Sequence, residues 1–181
     1  MTYFEWSMSG DEKIIIAWRV IDGPESADAV AAEIMKTPVR RGSSTSISGA
    51  INFAVRLFEE NPYRGLRRVI DISGDGSNNR GRPVTLARDE AVAASIGING
   101  LPILALEPDL DRYYQDHVIG GPGAFVLVAE NFNSFGRAII SSPDLVRRLK
   151  EDQPLNELFS DTGLYGGQGP HGYTDYPALA D

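Results

Sequence analysis

The stretch that decides the fold is Val69-Ile70-Asp71-Ile72-Ser73-Gly74-Asp75-Gly76-Ser77-Asn78-Asn79. It begins as a short β-branched run without alternating polarity and passes directly into carboxylates, hydroxyls, amides and glycines. A strand that lacks polar alternation is buried on both faces, the habit of parallel sheets. Three further runs read the same way: Ile14-Ile15-Ile16-Ala17-Trp18, Leu101-Pro102-Ile103-Leu104-Ala105-Leu106 and Ala124-Phe125-Val126-Leu127-Val128-Ala129. A fifth strand, over residues 2–6, is expected to form an antiparallel hairpin with residues 13–20 through Ser9-Gly10-Asp11. Trp6 and Trp18 are then expected to pack across that hairpin.

Helical spacing fills the intervals. Ala27, Val30, Ala31 and Ile34 follow Pro24 and Ser26 as start signals. Ile47, Ala50, Ile51, Ala54, Val55 and Phe58 form a wide apolar face. Residues 86–96 read as a third helix, with Thr85 as its cap and Gly97 as its stop. A fourth covers 132–140, and Ser141-Ser142-Pro143-Asp144 starts a fresh one carrying Leu145 to Lys150. Strands alternating with helices predict a Rossmann-like, doubly wound α/β fold with a mostly parallel sheet. One domain is expected over residues 1–157. The segment 158–181, rich in Gly, Pro and Tyr, is expected to be a flexible acidic tail.

Composition narrows the function. The 181 residues include 17 Lys+Arg and 25 Asp+Glu, a net charge of −8, and six of the acids but none of the bases follow Lys150. An acidic chain argues against general nucleic-acid binding. No Cys and two His, His117 and His171, exclude a thiolate site and a multi-histidine zinc site. No apolar run approaches the ~20 residues that span a bilayer. The first residues show no basic start followed by an apolar stretch, so no signal peptide is expected in the chain as given.

In an open α/β sheet, sites form beyond the carboxyl ends of the strands. Two loops qualify: Arg41-Gly42-Ser43-Ser44-Thr45-Ser46, and the loop after Ile72. Their oxygen donors suit a hard cation such as Mg²⁺. The second loop lacks the Gly-Lys-Ser/Thr of a P-loop and the G-x-S-x-G of a serine hydrolase. It also lacks the closing Glu and leading helix of an EF-hand. The plain alternative is a solvated turn, with Asp75-Gly76 as turn residues and Asn78 or Asn79 as a cap. His117 is expected at the surface, and Arg67-Arg68 is expected to face solvent. Glu107 and Asp109 fall at the edge of the expected site, where a turn around Pro108 accounts for them.

The Val69–Asn79 run resembles the fourth-strand region of an uncharacterised bacterial family of von Willebrand factor A-like domains. Gly42-Ser43-Ser44-Thr45-Ser46-Ile47-Ser48-Gly49-Ala50-Ile51 resembles the family's Thr loop and helix start. Tyr113-Tyr114 and Val118-Ile119-Gly120-Gly121-Pro122-Gly123-Ala124-Phe125 match its later pattern. The resemblance implies a metal-ion-dependent adhesion site: a non-enzymatic module that binds a partner protein's carboxylate through a divalent ion. By position, Thr45 is the second-loop ligand and Asp75 the third-loop ligand, with Ser43, Asp71 and Ser73 in support. The first loop, Asp-x-Ser-x-Ser, is absent from the sequence. In the family it ends a mid-sheet strand that precedes the segment matched by residues 2–6. The expectation is therefore an N-terminally truncated domain with two half-sheets, an incomplete metal site, and weak or absent affinity for Mg²⁺ or another divalent cation. Taking Asp71-x-Ser73-x-Asp75 as the first loop would put Thr45 ahead of it and leave Thr85 as the Thr. Relatives of this kind are often exported. Two other functions fit the same residues: a metal-assisted phosphoryl hydrolase using Asp71 and Asp75, and a metal-independent structural or interaction remnant.

Overall fold

The computed structural model describes residues 1–38, 40 and 42–141. The expected tail, the domain end at 157 and the helix from Leu145 lie outside the described residues.

The chain opens with a hairpin. Strand β1 (Tyr3–Glu5) pairs antiparallel with β2 (Lys13–Ile16), and the register slips between Tyr3 and Phe4. The turn is closed by Asp11 N–H donating to Met8 O, with Gly10 at φ +90°, a conformation that favours glycine. The two tryptophans do not fulfil the expected cross-hairpin packing. Trp18 lies against Phe58 with ring centroids 5.5 Å apart and donates from Nε1 to Leu57 O. Trp6 reaches instead toward Gly74.

Helix α1 (Pro24–Met35) starts where Pro24 and Ser26 place it, and Ser26 Oγ accepts from the Asp22 and Gly23 N–H groups. Helix α2 (Ile47–Glu59) is capped by Ser46, whose Oγ accepts from Gly49 N–H. Its buried face, including Ile47, Ala50, Ile51, Ala54 and Leu57, is the centre of the molecule. The helix packs on a parallel pair formed by β3 (Arg68–Gly74) and β4 (Ile96–Pro102), and on helix α3 (Val84–Ala93). Phe4 of β1 meets Phe53 of α2 edge to face, at 4.9 Å between ring centroids, so α2 also covers the hairpin. Together Ile70, Ile72, Val84, Ala87, Ala91, Ile96, Ile98 and Tyr114 complete one apolar core.

Several expected boundaries move. Strand β4 begins at Ile96, five residues before the expected run, and ends at Pro102. Gly97, Asn99 and Gly100 weaken its strand signal, yet the glycine at 100 is required. A Cβ there would fall 2.6 Å from Tyr114 Cδ1. Helix α3 starts at Val84, so Thr85 lies inside it and caps nothing; it ends before Ser95, which sits at φ +59°. Residues 124–129 form no regular strand. They touch β4 and the residue after it through parallel bridges at Gly100–Val126 and Ile103–Ala129. Beyond β4 a short helix α4 (Leu110–Tyr113) runs into a π-turn over Tyr114–Val118, and helix α5 (Phe132–Ser141) follows.

The architecture is mixed α/β with small sheets. Among the described residues the two strand pairs remain separate two-stranded sheets. The expected burial on both faces also fails for β3: Ile70 and Ile72 are buried, whereas Val69 and Asp71 are exposed.

Candidate metal centre

The two loops singled out by their chemistry are bound to each other. Asn79 and Arg80 N–H both donate to Thr45 O, at 2.9 and 3.1 Å. In return Thr45 N–H donates to Asn79 Oδ1 at 2.9 Å, and Ser48 N–H to Asn78 Oδ1 at 3.0 Å. The asparagines thus serve the entry to α2, across 30 and more residues of sequence, and not the helix that follows them. This exchange fixes Thr45 beside the turn at Asp75-Gly76.

Gly76 shows how close the approach is. A Cβ placed on it would lie 3.2 Å from Thr45 Oγ1 and 3.4 Å from Glu107 Oε1. One point in space is therefore rimmed by a hydroxyl from the loop before α2 and a carboxylate from the loop after β4. Asp75 is half-buried next to that point. Neither its carboxylate nor the Thr45 hydroxyl enters a hydrogen bond among the described residues. Glu107 is oriented by Ser77, whose N–H donates to both carboxylate oxygens at 3.1 Å.

The supporting residues fall elsewhere. Asp71 and Ser73 are tied to β4: Asn99 Nδ2 donates to Asp71 Oδ1 at 2.8 Å, and Ser73 Oγ donates to Leu101 O at 2.9 Å. Asn99 is buried, so this pairing satisfies a polar group within the sheet. Ser43 is exposed in the loop before α2. His117 is exposed, with its ring 5.0 Å from that of Tyr113, and Arg67 and Arg68 face solvent.

Beneath the loops lie two tyrosines. Tyr113 Oη accepts from Asn78 N–H at 3.3 Å. Burial raises its pKa; the Asn78 hydrogen bond opposes this, and the Glu107 charge adds to it. Tyr114 is wholly buried, and its hydroxyl has no hydrogen-bond partner among the described residues. That hydroxyl lies 3.0 Å from the Cβ position of Gly74. Burial pushes its pKa far above the ordinary phenol range, with further increments from the charges of Asp75, Tyr113 and Glu107.

Sequence reasoning set Glu107 aside as a turn residue. Its partner, Ser77, is 30 positions away, and only the β3–β4 register brings the two loops to one edge. Among the described residues no three His, Cys, Asp or Glu side chains gather closely enough to hold a metal. An ion at this edge would therefore depend on hydroxyl and solvent oxygen as well as carboxylate. The described residues also contain no helix long and apolar enough to cross a membrane.

A family model described as "Protein of unknown function (DUF1194)" matches residues 1–151. Among solved structures, the conserved hypothetical protein BatB from Bacteroides thetaiotaomicron superposes with a TM-score of 0.54 at 19% identity, over 82% of this chain and 78% of that one. Proximal thread matrix protein 1 from the mussel byssus superposes with a TM-score of 0.53 at 14% identity, over 75% of this chain and 33% of that one. At these identities the likeness is one of fold. A flavin oxidoreductase, hxnT of Emericella nidulans, is 53% identical over 45 residues, which amount to 24% of this chain and 11% of that relative's length.

Proposed function

This chain belongs to the DUF1194 family of proteins of unknown function, and on that footing we propose that it is a von Willebrand factor A-like protein-binding module. Its work is non-enzymatic: a divalent cation, held through Thr45 and Asp75, accepts a carboxylate oxygen from a partner protein. The observation that carries this reading is the convergence at Gly76. Two loops distant in sequence are clamped by four hydrogen bonds so that the Thr45 hydroxyl rims the turn bearing Asp75. A carboxylate and a hydroxyl without partners among the described residues, at a strand's carboxyl edge, are the donors a hard cation takes, and an incomplete protein shell leaves room for an outside oxygen.

The fold reading supports this. Helix α2 covers both strand pairs, and Trp6, just past β1, reaches the end of β3. A doubly wound sheet of the von Willebrand type has a strand between the positions of β1 and β3, and the loop at its end supplies the remaining ligands. On Thr45 and Asp75 alone the affinity is weak, in the roughly millimolar range.

The test is a thermal melt of the chain against Mg²⁺ and Mn²⁺. An ion at about ten times its Kd stabilises by about 1.4 kcal/mol, a rise of about 3–6 °C at this size. The rise is expected at millimolar ion and is lost in Asp75→Ala. An unchanged midpoint at every concentration would overturn the reading.

A further inference from the structure

We propose that the loop between α2 and β3, with the first residues of β3, is a docking surface for an acidic and apolar peptide segment, and that its occupant is Glu157-Leu158-Phe159-Ser160-Asp161 of this chain. The surface lies at the amino end of β3, the opposite end of that strand from Asp75, so it stands apart from the cation reading.

The loop combines positive charge with bare apolar surface. Residues 61–69 hold three arginines, Arg64, Arg67 and Arg68, and no acid, in a chain whose net charge is −8. All three arginines are exposed. Leu66 is 102% exposed, Tyr63 45% and Val69 40%. A single exposed leucine is ordinary, but three large apolar side chains interleaved with three arginines form one continuous kind of surface. The loop is also held in shape. Tyr63 N–H donates to Asn61 Oδ1 at 2.9 Å, and the Arg68 guanidinium donates to Ala94 O, just ahead of β4. Arg64 enters no hydrogen bond or ion pair among the described residues. The acids nearest in sequence, Glu59 and Glu60, are exposed at the end of α2 and leave the arginines in excess.

The same sequence contains the complement. After Lys150 there are six acids and no base. Within that stretch, Glu157 and Asp161 flank the apolar pair Leu158-Phe159. Arginine takes a carboxylate through two parallel N–H donors. Docked on the loop, Leu158 and Phe159 cover Leu66 and Tyr63 and remove apolar area from water. A nucleic acid or an anionic membrane suits the surface less well, because the net negative charge of the chain repels a polyanion.

Reach is not limiting. Sixteen residues lead from Ser141, the last of α5, to Glu157. Fully extended they span at most about 55 Å, against a radius of gyration of about 15 Å for a domain of this size. Exposed ion pairs are individually weak. A covalent tether offsets this by holding the partner at an effective concentration of about a millimolar.

The experiment uses the full chain and its lack of cysteine. A nitroxide is attached at Ser160→Cys, with Asn156→Cys as a second label site. Amide signals are compared with the label oxidised and reduced. The expected result is a loss of about half the amide intensity or more, concentrated in residues 63–69. That loss is expected to disappear in about 0.5 M NaCl, and in Arg64→Glu and Leu66→Ser. Uniform broadening, no broadening, or broadening centred on another surface would overturn the proposal. Broadening at the loop that persists in salt and in Arg64→Glu would overturn the ionic contact. Broadening that arises only when labelled and isotope-enriched chains are mixed would show a second copy as the occupant, and would overturn docking within one chain.

Discussion

Replacing Tyr114 by Phe removes one oxygen and leaves a ring that the structure grips on all sides. The ring packs so closely on β4 that a methyl at Gly100 would overlap it, and the side chain is wholly buried. Its hydroxyl, however, has no partner among the described residues. A buried polar group left unsatisfied costs about 1–3 kcal/mol, and deletion of the group recovers that cost without opening a cavity of any size. Tyr114→Phe is therefore expected to raise the stability of the ion-free chain by about 1 kcal/mol, or about 2–4 °C in midpoint. Urea unfolding in the presence of a chelator measures it. The same variant tests the titration. Burial raises the folded-state pKa of Tyr114 above its unfolded value. Its contribution is thus intact below about pH 10 and is lost as pH rises from there toward the folded value, at up to about 1.4 kcal/mol per pH unit. Tyr114→Phe removes that share of the alkaline loss and leaves the smaller shares of Tyr3 and Tyr113, whose pKa values burial also raises. Destabilisation of the ion-free chain by more than about 1 kcal/mol would show that the hydroxyl makes a bond worth keeping, and would refute the reasoning.

Gly76→Ala places a methyl 3.2 Å from Thr45 Oγ1 and 3.4 Å from Glu107 Oε1; it is expected to abolish the Mn²⁺-dependent rise in melting temperature and to shift the ion-free melt by less than about 1 kcal/mol. Asn78→Ala removes the acceptor for Ser48 N–H and the donor to Arg82 O; a loss of about 1–2 kcal/mol is expected from urea unfolding. Gly100→Ala drives a Cβ to 2.6 Å from Tyr114 Cδ1 and 3.0 Å from Ile119 Cγ2; overpacking at this point is expected to cost about 1–3 kcal/mol, again by urea unfolding.

Much of the framework was legible in the sequence because local chemistry and burial agree there. The apolar face of α2 and the glycine turn of the hairpin each combine a local signal with the packing that uses it. Strand β4 was misplaced because its first half, Ile96-Gly97-Ile98-Asn99-Gly100, contains residues poor in strand propensity. Each has a tertiary reason: Asn99 bonds Asp71, and Gly100 makes room for Tyr114. Cross-strand pairing is the nearest option in sequence for the tryptophans, whereas Trp18 packs on Phe58 of α2 and Trp6 reaches Gly74 at the end of β3. At the site, composition alone drew attention to the Thr45 and Asp75 loops. Nothing local marks Glu107, whose role depends on a register set 30 residues earlier in the chain. The plain-turn alternative makes Asn78 or Asn79 a cap of the following helix, but the helix that benefits precedes them.

The most direct measurement is the anomalous diffraction of Mn²⁺ in a crystal of this chain. A single peak over Gly76, about 2.0–2.4 Å from Thr45 Oγ1 and from an Asp75 carboxylate oxygen, is the expected result. A crystal saturated with Mn²⁺ that shows no peak there, or shows one bound to other residues, would contradict a cation site at this edge.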